Sequence, residues 1–211
     1  FRITVGSEGT DMARKILGRI RSRMEPHGPY PRYVAKFGPF VPQNQSGRKT
    51  VQAWGADYFN VFKKQTHDER DYSMVGLGWR SKIAGTRTDH LHIDDIQSRV
   101  SLNLTDQMFE VFRQDWLTRP GEKGRTSING TRVGSDDFYE RVMTEIDPDI
   151  LQVIKFPAIV TNDEGEPEPL WPEMFSLESL DRIKRKVGEE AWSRNYMQEP
   201  TSSLSATFTD E

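Results

Sequence analysis

The chain has 211 residues, 35% of them hydrophobic, and carries 29 Lys and Arg against 32 Asp and Glu, a formal net charge of -3 with a pI near 5.9. That length suits one domain, or one and a half, with a core of its own, and the charge excludes a protein that coats nucleic acid by bulk electrostatics, so any DNA contact must be local. The absence of cysteine excludes a disulfide framework and a thiolate metal site, and no apolar run approaches the ~20 residues of a membrane-spanning helix.

Phe1 falls directly in a strand-like run with no signal-peptide pattern before it, so the chain is expected to be a piece of a longer one. Residues 2–6 read as a strand and 7–10 as a turn into a helix, in which Met12, Ile16, Leu17, Ile20 and Met24 recur at helical spacing. The opposite face, with Arg14, Lys15, Arg19, Arg21 and Arg23, reads as solvated. Residues 25–50 are rich in Pro, Gly and aromatics, and the run from Pro26 to Pro31 fits neither helix nor central strand; an ordered insertion loop is expected. Gly47-Arg48-Lys49-Thr50 resembles the end of a phosphate-binding loop, but the preceding residues lack the Gly-x-x-x-x-Gly frame whose backbone N–H groups wrap a phosphate. Residues 50–54 and 58–62 alternate about Gly55-Ala56-Asp57, as a hairpin does. Residues 71–77 suggest another strand, and Gly76, Gly78 and Gly85 punctuate the approach to the stretch that follows.

That stretch, residues 89–98, organises the chain. A mostly apolar run ends in two adjacent carboxylates, Asp94 and Asp95, as a buried strand does when it delivers charge to its C-terminal edge, where ligands of open α/β sheets bind. In nucleotide-hydrolysing folds of the phosphate-loop type, the first such acid stands beside Mg²⁺ and the second beside the attacking water, which assigns Asp94 to the metal and Asp95 to the water. Two acids after an apolar run also cap helices, and the pair alone leaves that reading open. His90-x-His92-x-Asp94 has the look of a histidine-rich zinc loop of metallo-β-lactamase-like hydrolases. That loop needs more histidines than His27 and His67, both upstream, so His90 and His92 read as strand residues facing a neighbouring element.

Residues 105–117 read as a helix with Met108, Val111, Phe112 and Trp116 on one face, stopped by Thr118-Arg119-Pro120-Gly121. Lys123-Gly124-Arg125 reads as a turn and 126–130 as a strand. Ser135 is expected to cap the next helix, with Asp136 and Asp137 in its first turn. Residues 151–159 read as a strand and 162–169 as an acidic loop. A helix with Leu177, Leu180, Ile183 and Val187 in register is expected to stop at Gly188, and a shorter one with Trp192 and Tyr196 on one face to end by Pro200. The Ser/Thr-rich tail, 201–211, reads as a linker or frayed terminus.

Strand–helix units around an acidic strand describe an α/β fold, a mostly parallel sheet with helices on both faces. The order of motifs resembles the ATPase part of the large terminase subunit, the DNA-packaging motor of tailed bacteriophages. The matching pieces are Ile83-Ala84-Gly85-Thr86-Arg87-Thr88-Asp89 leading into Leu91-His92-Ile93-Asp94-Asp95, then Ile128-Asn129-Gly130-Thr131-Arg132 followed by Ser135-Asp136-Asp137-Phe138, then Leu170-Trp171-Pro172-Glu173 and Tyr196-Met197-Gln198-Glu199-Pro200.

The resemblance implies a P-loop NTPase (RecA/ASCE-like) sheet, incomplete at the N-terminus, over residues 1–200, with 201–211 leading towards a C-terminal nuclease that has no counterpart before Glu211. It implies ATP and Mg²⁺ as cofactors, Asp94 and Asp95 as the Walker B pair, Asn129, Gly130, Thr131 and Arg132 as the coupling motif, and Arg87 and Arg80 as candidate arginine fingers. The implied partners are double-stranded viral DNA, the portal protein, the small terminase subunit and further copies in a homo-oligomeric ring, in the cytoplasm of the infected bacterial host and transiently on the procapsid, with no membrane. Two departures stand out. No Walker A loop occurs in this chain; it is expected before residue 1, so the chain alone is expected to be inactive. Asp95 is one methylene shorter than the Glu of many relatives. The rival readings are another P-loop motor core of helicase type and a non-catalytic assembly or binding module that keeps the fold.

Overall fold

The structure, a computed structural model, describes residues 1–42, 54–61 and 71–200. The Gly47–Thr50 stretch, most of the first run of the expected hairpin, His67 and the 201–211 tail lie outside the described residues. The chain divides into two compact units, the first comprising Phe1–Ile96 and Gln107–Asn129, the second Gln97–Asp106 and Gly130–Glu211.

The first unit is built on a five-stranded sheet of β1 (Ile3–Ser7), β2 (Tyr58–Phe59), β3 (Met74–Gly78), β4 (Thr88–Asp94) and β5 (Pro120–Asn129), in the order β2-β3-β1-β4-β5. All neighbours run parallel except the short edge strand β2. The expected α/β class and mostly parallel sheet are therefore present. Side-chain alternation sets what each face does. In β4, Leu91 and Ile93 are fully buried while His90, His92 and Asp94, pointing the other way, are half-buried.

Helices cover both faces. On one, α1 (Thr10–Met24) lies over β1 and β3, where Gly76 lets it come close: a Cβ there would stand 3.2 Å from both Ala13 and Leu17. This close approach selects Ala13 and Leu17 as the buried contacts and leaves Met12, expected in the apolar stripe, 45% exposed; Ile16, Ile20 and Met24 pack against the core beside Leu17. On the opposite face a Cβ on Gly6 would overlap the Trp116 ring and the Ile93 side chain, so glycine at position 6 is what admits the indole.

Three expectations for this unit are corrected. The insertion contains a short helix, α2 (Pro31–Phe37), with Pro31 at its first position, where the missing N–H costs nothing. The expected single α-helix over 105–117 is α3 (Thr105–Val111) followed by a π-helical turn, Phe112–Trp116. An α-helix carries each i+4 residue further round its axis, and the wider turn reverses that drift, so Met108, Phe112 and Trp116 are all buried. The turn expected at 123–125 is a bulge inside β5, because pairing jumps from Thr88↔Pro120 to His90↔Arg125 and residues 121–124 stand outside the ladder.

The second unit is mainly helical. It contains a 3₁₀ turn (Arg99–Leu104) with a Ser98/Ser101 capping box, then α4 (Phe138–Glu145), α5 (Leu177–Val187) and α6 (Glu189–Asn195). Gly188, at φ 83°, ends α5 as expected, and Trp192 stacks on Tyr196 at 4.9 Å. The strand expected over 151–159 is not formed. Only Ile159–Thr161 (β6) is a strand, paired antiparallel with β7 (Pro167–Pro169), which takes the last three residues of the expected loop 162–169; the rest, 162–166, is the turn, in which the Asn162 side chain accepts from the N–H groups of Glu164 and Glu166. Residues 151–157 are rich in apolar side chains, but no strand partner among the described residues meets them, and Val153, Ile154 and Phe156 stay exposed. No helix among the described residues is long and apolar enough to cross a membrane.

Candidate functional site

The carboxyl edge of the first unit's sheet gathers the candidate chemistry. β4 ends at Asp94, half-buried, and Asp95 follows, exposed. Asp95 has φ 43°, a left-handed conformation that Asp tolerates better than most residues. Three hydrogen bonds hold it there: its N–H donates to Asn129 O at 3.1 Å, and its carbonyl accepts from Glu8 N–H at 3.3 Å and Ser7 Oγ at 3.5 Å. The turn lifts the carboxylate off the strand's alternation and towards solvent at the sheet edge.

Asn129 is the Cα partner of Asp94 in the β4–β5 ladder, so the sheet brings Asp94, Asp95 and Asn129 to one edge. Arg80 reaches the same edge: β3 ends at Gly78 beside Ser7, Trp79 N–H donates to Ser7 O at 2.9 Å, and the exposed Arg80 guanidinium lies over the Trp79 ring at 4.8 Å. Arg87 does not. It precedes the first residue of β4, seven strand residues before Asp95, so within one chain about 20 Å of strand separates it from the acids.

The other residues expected to form the coupling motif, Gly130, Thr131 and Arg132, belong to the second unit. A Cβ on Gly130 would overlap the Tyr139 ring, so a larger residue there requires Tyr139 to move. Thr131 is exposed. Arg132 is buried, its Nε 3.0 Å from both carboxylate oxygens of Asp137 and its Nη2 2.7 Å from Glu140 Oε2 and 3.2 Å from Gly134 O. Asp137, fully buried, also accepts from the N–H groups of Val133, Gly134 and Glu140. Asp137 is thus the N-cap of α4, in place of the expected Ser135, and a pair this committed frames the loop. Arg132 is not presented to a ligand.

His90 and His92 face the neighbouring strand. His90 Nε2 and His92 Nδ1 each lie 2.8 Å from Ser127 Oγ. Burial holds the His92 imidazole below its ordinary pKa, outweighing the upward pull of Asp94, with His90 adding to the depression. Among the described residues no group of three or more His, Cys, Asp or Glu side chains is placed to hold a metal ion, so the zinc-loop alternative has no geometric support there.

Sequence reasoning missed three residues. Ser7 and Glu8 support Asp95 only because β1 and β4 are neighbours, a fact of topology with no local signature. In the second unit, buried Gln97 donates to Thr105 Oγ1 at 2.7 Å and Ser101 O at 3.2 Å and accepts from Phe138 N–H at 2.6 Å, fastening the start of α4. A polar residue directly after a buried Ile was the available signal. No family model matches the chain, and no curated protein matches it in sequence.

Proposed function

We propose that this chain is part of a nucleotide-driven DNA-packaging motor of the large-terminase type, with a P-loop NTPase sheet whose Walker B acids are Asp94 and Asp95. The observation that carries the reading is the meeting of Asp94, Asp95 and Asn129 at the carboxyl edge of adjacent parallel strands, the edge where ligands of such sheets bind.

The donor set suits Mg²⁺, a hard cation that takes one or two carboxylates and otherwise keeps waters and substrate phosphates; Asp94, half-buried at the strand end, would hold it. Mg²⁺ would neutralise charge on the phosphates of ATP. Asp95 has a backbone fixed by hydrogen bonds and an exposed side chain, which fits a group that orients a water and accepts its proton. Asn129 and Thr131 are the sensing side chains. Arg132 holds the loop against Asp137, so movement of that loop would carry the signal to the DNA-gripping surface. Of the two arginine-finger candidates, Arg80 shares the acids' edge, and Arg87 would have to act from a neighbouring subunit. In this reading the motor is a ring docked on the portal with the small terminase subunit, in the host cytoplasm and on the procapsid, pulling double-stranded DNA by sequence-independent backbone contacts.

No Gly-x-x-x-x-Gly-Lys-Ser/Thr stretch occurs in the 211 residues, so the test uses the protein at its full natural length. DNA-stimulated ATP hydrolysis is expected, with Asp94→Asn and Asp95→Asn each abolishing it and Thr131→Ala sparing ATP binding while stopping translocation. Hydrolysis unaffected by both aspartate changes would overturn the assignment.

A further inference from the structure

At the other end of the same sheet the charge is reversed. The amino ends of β1, β4 and β5 surround a half-open cavity of about 840 Å³, within the size range of ligand pockets. Its lining includes Arg2, Arg87, Arg119, Lys123 and Arg125 and a single carboxylate, Asp89. That carboxylate is already engaged: Asp89 accepts from Arg2 N–H at 2.6 Å and from the Arg2 guanidinium at 2.8 and 3.2 Å, which holds its pKa below the usual carboxylate value. Among the described residues no carboxylate pairs with Arg87, Arg119, Lys123 or Arg125, although Arg119 Nε donates to Asp115 O at 2.7 Å.

The bulge of β5 lies on the same cavity. Residues 121–124 have no ladder partner on β4 between Pro120 and Arg125, so the strand bows out at the cavity wall. The bulge is tight at Gly124, where a Cβ would stand 2.5 Å from Pro120 Cβ and 2.9 Å from Gly121 N. A glycine-edged bulge flanked by guanidinium forks is chemistry that matches phosphate oxygens.

We infer that this cleft binds a ligand carrying several neighbouring phosphates, either a free oligophosphate or the backbone of a nucleic acid. Four cations without carboxylate partners around one cavity exceed what a single phosphate uses. The inference does not rest on the ATPase reading, since it concerns the opposite edge of the sheet and none of the acids assigned there.

The test titrates the protein with sodium tripolyphosphate by calorimetry and with fluorescein-labelled single- and double-stranded 20-mers by anisotropy, at 50 and 200 mM salt. Binding of at least one probe is expected, weakened more than tenfold by the double change Arg87→Glu/Arg125→Glu and left within twofold by Lys15→Glu/Arg19→Glu on the exposed face of α1. Lys123→Ala, on the exposed bulge, is the gentler second variant; for oligonucleotides it should lower the salt slope of log K by about one. Tripolyphosphate bound without oligonucleotide identifies a free oligophosphate as the source. Oligonucleotide bound, and displaced by tripolyphosphate, identifies the nucleic-acid backbone. Absence of all binding at 50 mM salt, or equal weakening by the cleft and α1 variants, overturns the inference.

Discussion

The two ends of one sheet have been given opposite chemistry. At the carboxyl end, strands stop in Ser7, Asp94 and Asn129, and after β4 the backbone takes up a left-handed turn at Asp95 to present its carboxylate. At the amino end, β5 bulges and four cations face a cavity without carboxylate partners among the described residues. Some 20 Å of β4 lies between them. A net charge of -3 hides this sorting entirely, which teaches that whole-chain charge bounds bulk behaviour and says nothing of local fields.

The contrast is broken most directly through Asp95. In the full-length protein, Asp95→Asn is expected to lower ATP turnover by about 10²–10⁴-fold, read in a steady-state assay, while Asp95→Gly, which relieves the left-handed backbone cost, should lose turnover without lowering the thermal midpoint. A fall in stability as large as the fall in activity would make Asp95 a structural residue. Next in size, Arg132→Ala should destabilise by about 3–5 kcal/mol because it strands the fully buried Asp137 carboxylate, measured by urea unfolding. A near-neutral result would return Arg132 to the pool of ligand-facing groups.

Smaller effects separate the two ends by pH. His92 has its pKa depressed in the folded state, so its contribution is present above the unfolded imidazole value of about 6.5 and is lost as pH falls through the folded value. His92→Gln should remove that part of the pH dependence of unfolding. Asp89, at the amino end, also has a depressed pKa; its contribution is present above the unfolded carboxylate value of about 3.9 and is lost only as pH falls further. Asp89→Asn should cost roughly 0.5–1 kcal/mol at neutral pH, since the pair with Arg2 is partly exposed and screened, and should flatten the acid limb alone.

Much of the first unit was legible because period-2 and period-3.6 patterns survive where one face is buried: β1, β3, β4 and α1 all lie where their apolar residues recur. The signal failed where it was satisfied by something other than its own element. Residues 151–157 are as apolar as a strand and find no partner among the described residues, and the pattern over 105–117 cannot distinguish an α-turn from a π-turn that brings Trp116 under Gly6. Ser135 and Asp137 are equally good caps by type, and contacts from buried Arg132 and the N–H groups of Val133 and Gly134 decide for Asp137. Of the candidate site, the acids and Asn129 were readable from a polar end to an apolar run. Ser7, Glu8 and the basic cleft were not, because they arise from which strands become neighbours.

The bulge in β5 gives this architecture a useful independence. Residues 121–124 are excluded from the ladder, and pairing resumes at Arg125 with Asn129 still opposite Asp94. Loop-closure entropy changes only slowly with length, so a longer or shorter segment spliced between Pro120 and Arg125 need not disturb the register beyond it. The bulge is a socket for exchange: its sequence is open to redesign for a different ligand, while the far end of the same strand keeps its alignment.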